Sequence, residues 1–272
     1  MVVVKQLKVY YNKIRAKRVT SQNRGRLIML IADYLKEKIK NGTVHITLID
    51  PMKQSPDVAG RLALTAQEVG SDLILVVGIS GLSQKNLLDT TSIIKEKISI
   101  PVVYSPSGAE ALCFSFDALL FSSLLNARNS NFVSGGQSKA AIVLKRMEIE
   151  TISVGYLVVE PGMKIGEAAD IDLIPRDNYW MAASYAVTAE LFGMSYIYLE
   201  AGISAAQPVP AGMIRAVKKE LSIPLIVGGG IRTAVDARRV RQAGADVVVT
   251  GTIIENAGYR ERLRSILSAL KD

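Results

Sequence analysis

"PLIVGGGIR" at Pro224–Arg232 and "DVVVTGT" at Asp246–Thr252 decide the fold between them. Each is a short β-branched, apolar run ending in glycine, the pattern of a buried parallel strand entering a bare-backbone loop. "TAVDARRVRQAGA" (Thr233–Ala245) joins them with helical spacing and a candidate N-cap at Thr233. Two successive βα units with these endings describe the phosphate cup that the loops after strands 7 and 8 of a TIM barrel build. Where no Cβ stands in the way, several N–H groups can close on phosphate oxygens. An ordinary Gly-rich βα turn is the alternative for either run alone; two runs one βα unit apart argue against it.

Upstream, strands are predicted at Val44–Asp50, Asp72–Gly78, Ile100–Pro106, the start of Phe116–Asn129, Thr151–Gly162 and Ser195–Gly202. Helical spacing falls between most of them: Leu27–Asn41, Ser55–Ser71, Asn86–Ser99, Ser138–Ile149, Tyr179–Gly193 and Pro208–Ser222, with a last helix at Tyr259–Lys271. "MKIGEAADIDLIPRD" (Met163–Asp177) reads as a long loop. Strands alternating with helices imply parallel pairing through right-handed crossovers. The count of eight, with glycine ending the last two, favours a closed α/β TIM (β/α)8 barrel over an open doubly wound sheet. The expected layout is a basic N-terminal extension, residues 1–26, and one barrel domain, residues 27–272.

The bulk numbers agree. A chain of 272 residues, 49% hydrophobic and 21% charged, suits one barrel or two small domains. No apolar run reaches the ~18 residues of a membrane span, and the N-terminus lacks a signal-peptide pattern. The single Cys113 excludes an intrachain disulfide framework, argues against a Cys-based zinc site and fits a reducing cytoplasm. The single His45 argues against His-rich metal sites and Ser-His-Asp triads, which leaves acid–base work to Asp, Glu, Lys or Tyr. Net charge is +8, much of it in Lys5–Arg26 and Arg238–Arg241. That reads as a solvated basic surface, or as attraction to anionic substrates or membrane surfaces. Nucleic acid ranks last: there is no binding motif, and aromatic residues make up 6%.

In a barrel, chemistry collects at the C-terminal strand ends. Those ends offer Asp50, Ser80, Asn126, Glu160, Glu200, Gly228–Gly230 and Gly251-Thr252. Asp50 either holds Mg²⁺, a hard cation that wants oxygen ligands, or caps the next helix. Ser80 either adds a hydroxyl to that metal or caps a turn. Lys53 either meets a diphosphate or is a surface lysine. Glu200 ends a strand that is otherwise "YIYL" and is a candidate general base; a structural salt bridge is the alternative. Tyr198, two residues earlier, shares its side of the strand. His45, at the barrel's bottom end, has a structural role.

As a set, "HITLIDPMKQSPD" (45–57), "SLLNARN" (123–129), "VGYLVVEPG" (154–162), "IPRD" (174–177), "YLEAG" (198–202) with "PVP" (208–210), "IPLIVGGGIR" (223–232) and "VVTGTIIE" (248–255) resemble the geranylgeranylglyceryl phosphate synthases. These archaeal lipid enzymes share a TIM-barrel family with the bacterial PcrB-type heptaprenylglyceryl phosphate synthases, and "LIDP" looks more like the larger archaeal group. The resemblance implies an enzyme joining sn-glycerol 1-phosphate to C1 of geranylgeranyl diphosphate, with Mg²⁺ required and diphosphate released; another phosphate-cup barrel enzyme acting on a sugar phosphate, or a non-catalytic phosphate-binding paralogue, is the alternative. It matches Asp50 and Ser80 to the Mg²⁺ ligands. Tyr198, Leu199, Glu200, Ala201, Gly202, Ile203 and Ser204 match the glycerol-phosphate segment, and Gly229, Gly230, Gly251 and Thr252 match the phosphate cup. It also implies a dimer or an assembly of dimers; peripheral contact with a membrane is a further expectation, from the basic tail. Two positions depart from the family pattern: Ile79 stands in a Gly-Gly-Ser/Thr run and Ile203 in an Ala-Gly-Ser-Gly-Ala run. A long isoprenoid tail needs an apolar groove, expected near Leu119–Leu125.

Overall fold

The computed structural model describes residues 29–78, 82–106, 115–255 and 258–271. The expected basic extension lies outside these residues, as do Ile79, Ser80 and Cys113. Eight parallel strands close into a barrel in chain order. They are β1 (Val44–Ile49), β2 (Leu73–Val77), β3 (Val102–Ser105), β4 (Ala118–Leu124), β5 (Thr151–Val158), β6 (Tyr196–Glu200), β7 (Leu225–Gly228) and β8 (Val247–Thr250). Pairing of β8 with β1, Val44 against Val247, shuts the ring and excludes the open sheet. Around it run α1 (Ile31–Lys40), α2 (Pro56–Val69), α3 (Gln84–Lys97), α4 (Gly136–Arg146), α5 (Met163–Ala168), α6 (Tyr179–Leu191), α7 (Ala211–Glu220), α8 (Ala234–Gln242) and α9 (Tyr259–Lys271).

Strand alternation divides the core into two layers. Val44, Ile46, Leu73, Leu75, Val103, Ile152, Tyr196, Tyr198, Val247 and Val249 fill the barrel. Ile74, Val76, Leu157, Ile197, Leu199, Val227 and Val248 face the helices. Leu119 and Leu120 are buried on opposite faces of β4. Phe121 and Leu125 pack onto the outer layer. Leu119 and Leu120 are therefore wall, while Phe121, Leu124 and Leu125 are only partly buried.

The barrel's lower end is plugged by α1, whose Leu35 packs into the inner layer. The N-cap position of α1, Leu30, supplies no side-chain cap. Glu150 does so from the β4–β5 side, its two oxygens accepting from the Ile31 and Ala32 amides at 2.8 Å each. A carboxylate there satisfies orphan donors and meets the positive end of the helix. His45 is buried nearby, 3.0 Å from Ser71 Oγ and 2.9 Å from Thr250 Oγ1. Burial pushes its imidazole down to about 4.

Two segments differ from the sequence reading. Met163–Asp177 is not a plain loop: it holds α5 and bridges Ala127 to Ile171 and Val159 to Ile174. A six-residue helix interrupted by Gly166 is too short to show a period. The helix expected from Ser138 begins at Gly136, after a π-type turn at Asn131–Gly135. The Gly135-Gly136 pair reads as a break, but both glycines have helical backbone angles here. Thr233 caps α8 as expected, in a reciprocal capping box with Asp236. No helix of the described residues is long and apolar enough to cross a membrane.

Candidate active site

Register sets the height of the site. Glu200 pairs with Val158 on one side and Gly228 on the other, so the end of β6 stands beside the glycine loop. Tyr196, Tyr198 and Glu200 share the inward face, as their spacing required. Glu200 is buried, with 4% of its surface exposed. Its Oε1 accepts from the Gly202 amide at 2.7 Å, and its Oε2 accepts from the Tyr156 hydroxyl at 3.4 Å. Tyr198 also donates to this carboxylate. Burial raises the Glu200 carboxyl above the usual carboxylate range, and these three donors oppose the rise. Burial, reinforced by the Glu200 charge, pushes both tyrosine hydroxyls well up, so they stay protonated donors.

The loops above β6, β7 and β8 form one cleft. It is lined by Asp50, Lys53, Tyr198, Glu200, Ile203 and Ser204, together with Gly229, Gly230, Gly251 and Thr252. Ten of the expected site residues therefore meet in one place. Gly229 and Gly230 are left-handed, with φ 79° and 71°. A Cβ on Gly229 would lie 2.3 Å from Glu200 Oε1, and one on Gly230 would lie 2.2 Å from the Gln207 carbonyl. Only glycine allows this loop to sit against the carboxylate on one side and the β6–α7 loop on the other.

Leu199, Ala201 and Gly202 are not among the residues that line the cleft. Leu199 and Ala201 are fully buried in the outer layer, so they face the helices rather than the cleft. Gly202 contributes the amide that orients Glu200. Ser80 lies outside the described residues. Asp50 is buried, and its Oδ1 accepts from the Met52 amide at 2.9 Å, so the carboxylate closes the turn after β1 as well as facing the cleft. Lys53 is paired with Glu255 at 2.6 Å across the mouth. Asn126 and Glu160 are structural: Asn126 bonds the Val158 amide and carbonyl and the Asp172 carbonyl, while Glu160 is tied to Arg176.

Three further residues belong here. Tyr156 packs its ring 4.6 Å from that of Tyr198. Arg232 lines the cleft and donates to the Ser204 carbonyl at 2.7 Å. Glu255 faces Lys53. A tyrosine interrupting the aliphatic run of β5, and a cation two residues after the glycines, are signals in the sequence; the Glu255 contact leaves none.

A closed barrel whose glycine loops form a cup beside a buried carboxylate defines a phosphate-handling TIM-barrel enzyme. The chain belongs to the PcrB family, whose model matches residues 32–270. It is similar to the geranylgeranylglyceryl phosphate synthase of Thermococcus gammatolerans, 44% identical over 237 residues, spanning 87% of this chain and 94% of that protein. The Pyrococcus furiosus protein of the same name is 42% identical over 238 residues, 88% of this chain and 95% of its own length. Among solved structures, the (S)-3-O-geranylgeranylglyceryl phosphate synthase of Thermoplasma acidophilum, in complex with its substrate sn-glycerol-1-phosphate, matches with a TM-score of 0.87 and 41% identity, covering 90% of this chain and 99% of that one. Thiamine phosphate pyrophosphorylase from Pyrococcus furiosus, with a TM-score of 0.57 and 12% identity over 86% of this chain and 98% of its own, shares the fold alone.

Proposed function

We propose that this chain is a prenyltransferase that joins sn-glycerol 1-phosphate to geranylgeranyl diphosphate, giving geranylgeranylglyceryl phosphate and diphosphate. The observation that carries the reading is Glu200, a buried carboxylate with a raised pKa opening onto a glycine cup. The acceptor's phosphate sits on the amides of Gly229, Gly230, Gly251 and Thr252, with Tyr198 and Ser204 alongside. The terminal one of its two free hydroxyls then faces Glu200, which takes the proton as that oxygen bonds to C1 of the prenyl chain and the C1–O bond to diphosphate breaks. The names of the relatives and the bound acceptor in the Thermoplasma protein support this assignment.

The rim also suits a magnesium ion. Mg²⁺ takes one or two carboxylates and completes its shell with waters and substrate phosphates. Asp50 offers one buried carboxylate at the cleft, and no cluster of three or more potential ligands is found among the described residues. Asp50, with Ser80, would hold the ion, which would neutralise charge on the departing diphosphate. Lys53, once drawn from Glu255, would add a second cation there. Assembly into a homo-oligomer fits the outer face of α6, where Trp180 and Leu191 are 80% and 81% exposed.

The test incubates the purified chain with sn-glycerol 1-phosphate and geranylgeranyl diphosphate, with Mg²⁺ or with a chelator. A Mg²⁺-dependent ether product in the mass spectrum is expected. Absence of product at saturating substrates and metal would remove the assignment.

A further inference from the structure

"VVEPG", "IPRD" and "PVP" stand far apart in the chain, and none of them touches the cleft, yet the structure brings them to one point. Arg176, from "IPRD", donates from Nη1 to the Glu160 carbonyl at 3.0 Å and from Nη2 to the Pro208 carbonyl at 2.7 Å. Its own amide donates to Glu160 Oε2 at 3.3 Å. One planar guanidinium thus fastens the end of β5 to the far end of the β6–α7 loop, using the fixed fork that distinguishes arginine from lysine.

That loop carries Gly202–Ser204 on one side of the cleft, and it is pinned at three carbonyls. Ala201 accepts from the Gly162 amide at 3.1 Å. Ser204 accepts from Arg232 at 2.7 Å. Pro208 accepts from Arg176. Behind Pro208 the loop presses on the cup itself. A Cβ at Gly230 would stand 2.2 Å from both Gln207 C and its carbonyl oxygen, and 2.6 Å from Pro208 N. The backbone that must present amides to phosphate is therefore backed by Gln207 and Pro208, the second of which Arg176 holds by its carbonyl.

We propose that Arg176 is a positioning residue for the phosphate cup: by holding Pro208 against β5, it fixes the Gln207–Pro208 wall behind Gly230 and so sets affinity for the phosphate of the acceptor. This rests on the assignment of sn-glycerol 1-phosphate as acceptor, although the clamp itself needs only a phosphate. Preorganised donors bind better than donors that must be gathered at the moment of binding.

The experiment compares Arg176→Lys and Arg176→Gln with the intact chain. Calorimetry measures binding of inorganic phosphate and of sn-glycerol 1-phosphate, and prenyl-transfer assays give kcat and KM for each substrate. In Arg176→Gln both phosphate affinities should fall and KM for the acceptor should rise, each by about tenfold, the effect of losing a hydrogen bond from a charged donor. The kcat at saturation and KM for geranylgeranyl diphosphate stay at their starting values. Arg176→Lys, which reaches one carbonyl at a time, falls between. Unchanged phosphate binding in both variants overturns the proposal, as does unfolding of both, which would make Arg176 a support of the whole barrel. An intact chain that binds inorganic phosphate but neither binds nor prenylates sn-glycerol 1-phosphate removes the functional assignment. Phosphate affinity across the three proteins still decides the clamp.

Discussion

Tyr156 and Tyr198, opposite one another on β5 and β6, pack their rings 4.6 Å apart and both direct their hydroxyls at Glu200. The pair gives a buried carboxylate two donors in an otherwise apolar wall. Both bonds favour the charged form, so both hold its pKa below where burial alone would put it. Tyr156→Phe should therefore move the acidic limb of the pH profile of kcat/KM upward, by up to about one unit for a hydrogen bond of ordinary strength. A limb that stays in place or moves down would show that the hydroxyl does not tune the Glu200 carboxylate.

Glu200→Gln keeps the shape of the side chain and removes the carboxylate proposed as the base. Turnover should drop about 10²–10⁴-fold, the usual weight of a general base. Binding of sn-glycerol 1-phosphate in calorimetry should persist, since the cup is built from backbone. Near-normal turnover in this variant would assign proton removal to another group.

Gly230→Ala sets a methyl into the Gln207–Pro208 backbone at a left-handed φ of 71°. Gly193→Ala is the control: its φ is 81°, but nothing lies within 4 Å of the added Cβ. Strain alone costs about 1–2 kcal/mol, so both variants should lose thermal stability. Only Gly230→Ala should also lose phosphate binding, as read by the Tm shift that phosphate produces in each.

His45 titrates at about 4 in the folded chain because it is buried, against about 6.5 when unfolded. Between those values the unfolded chain binds the extra proton, so stability is full above pH 6.5 and falls as pH drops towards 4. The loss amounts to about 3 kcal/mol. His45→Gln forfeits hydrogen bonds at every pH but should flatten this part of the curve. Urea unfolding at pH 7 and pH 5 measures the slope, and equal slopes in the two proteins would place the acid sensitivity elsewhere.

Much of this was legible in the sequence because it depends on period and on glycine. The inward set Tyr196, Tyr198, Glu200 follows from a strand's period of two, and the cup follows from two glycine endings one βα unit apart. The same alternation turns Leu199 outward, although the resemblance groups it with the substrate segment. What escaped reading depends on register and loop shape. Tyr156 reaches Glu200 only because β5 and β6 align it with Tyr198. Arg232 reaches Ser204 only because both loops turn left-handed, Ser204 itself at φ 69°. Lys53 looked solitary because its partner, Glu255, is 202 positions away.

The sealed floor has its own consequence. With Leu35 wedged into a ring already full of aliphatic and aromatic side chains, a twenty-carbon tail has no passage along the axis. On the proposed reaction both reactants would arrive, and both products depart, through the same upper doorway, with the hydrocarbon lying across the lip rather than down the shaft.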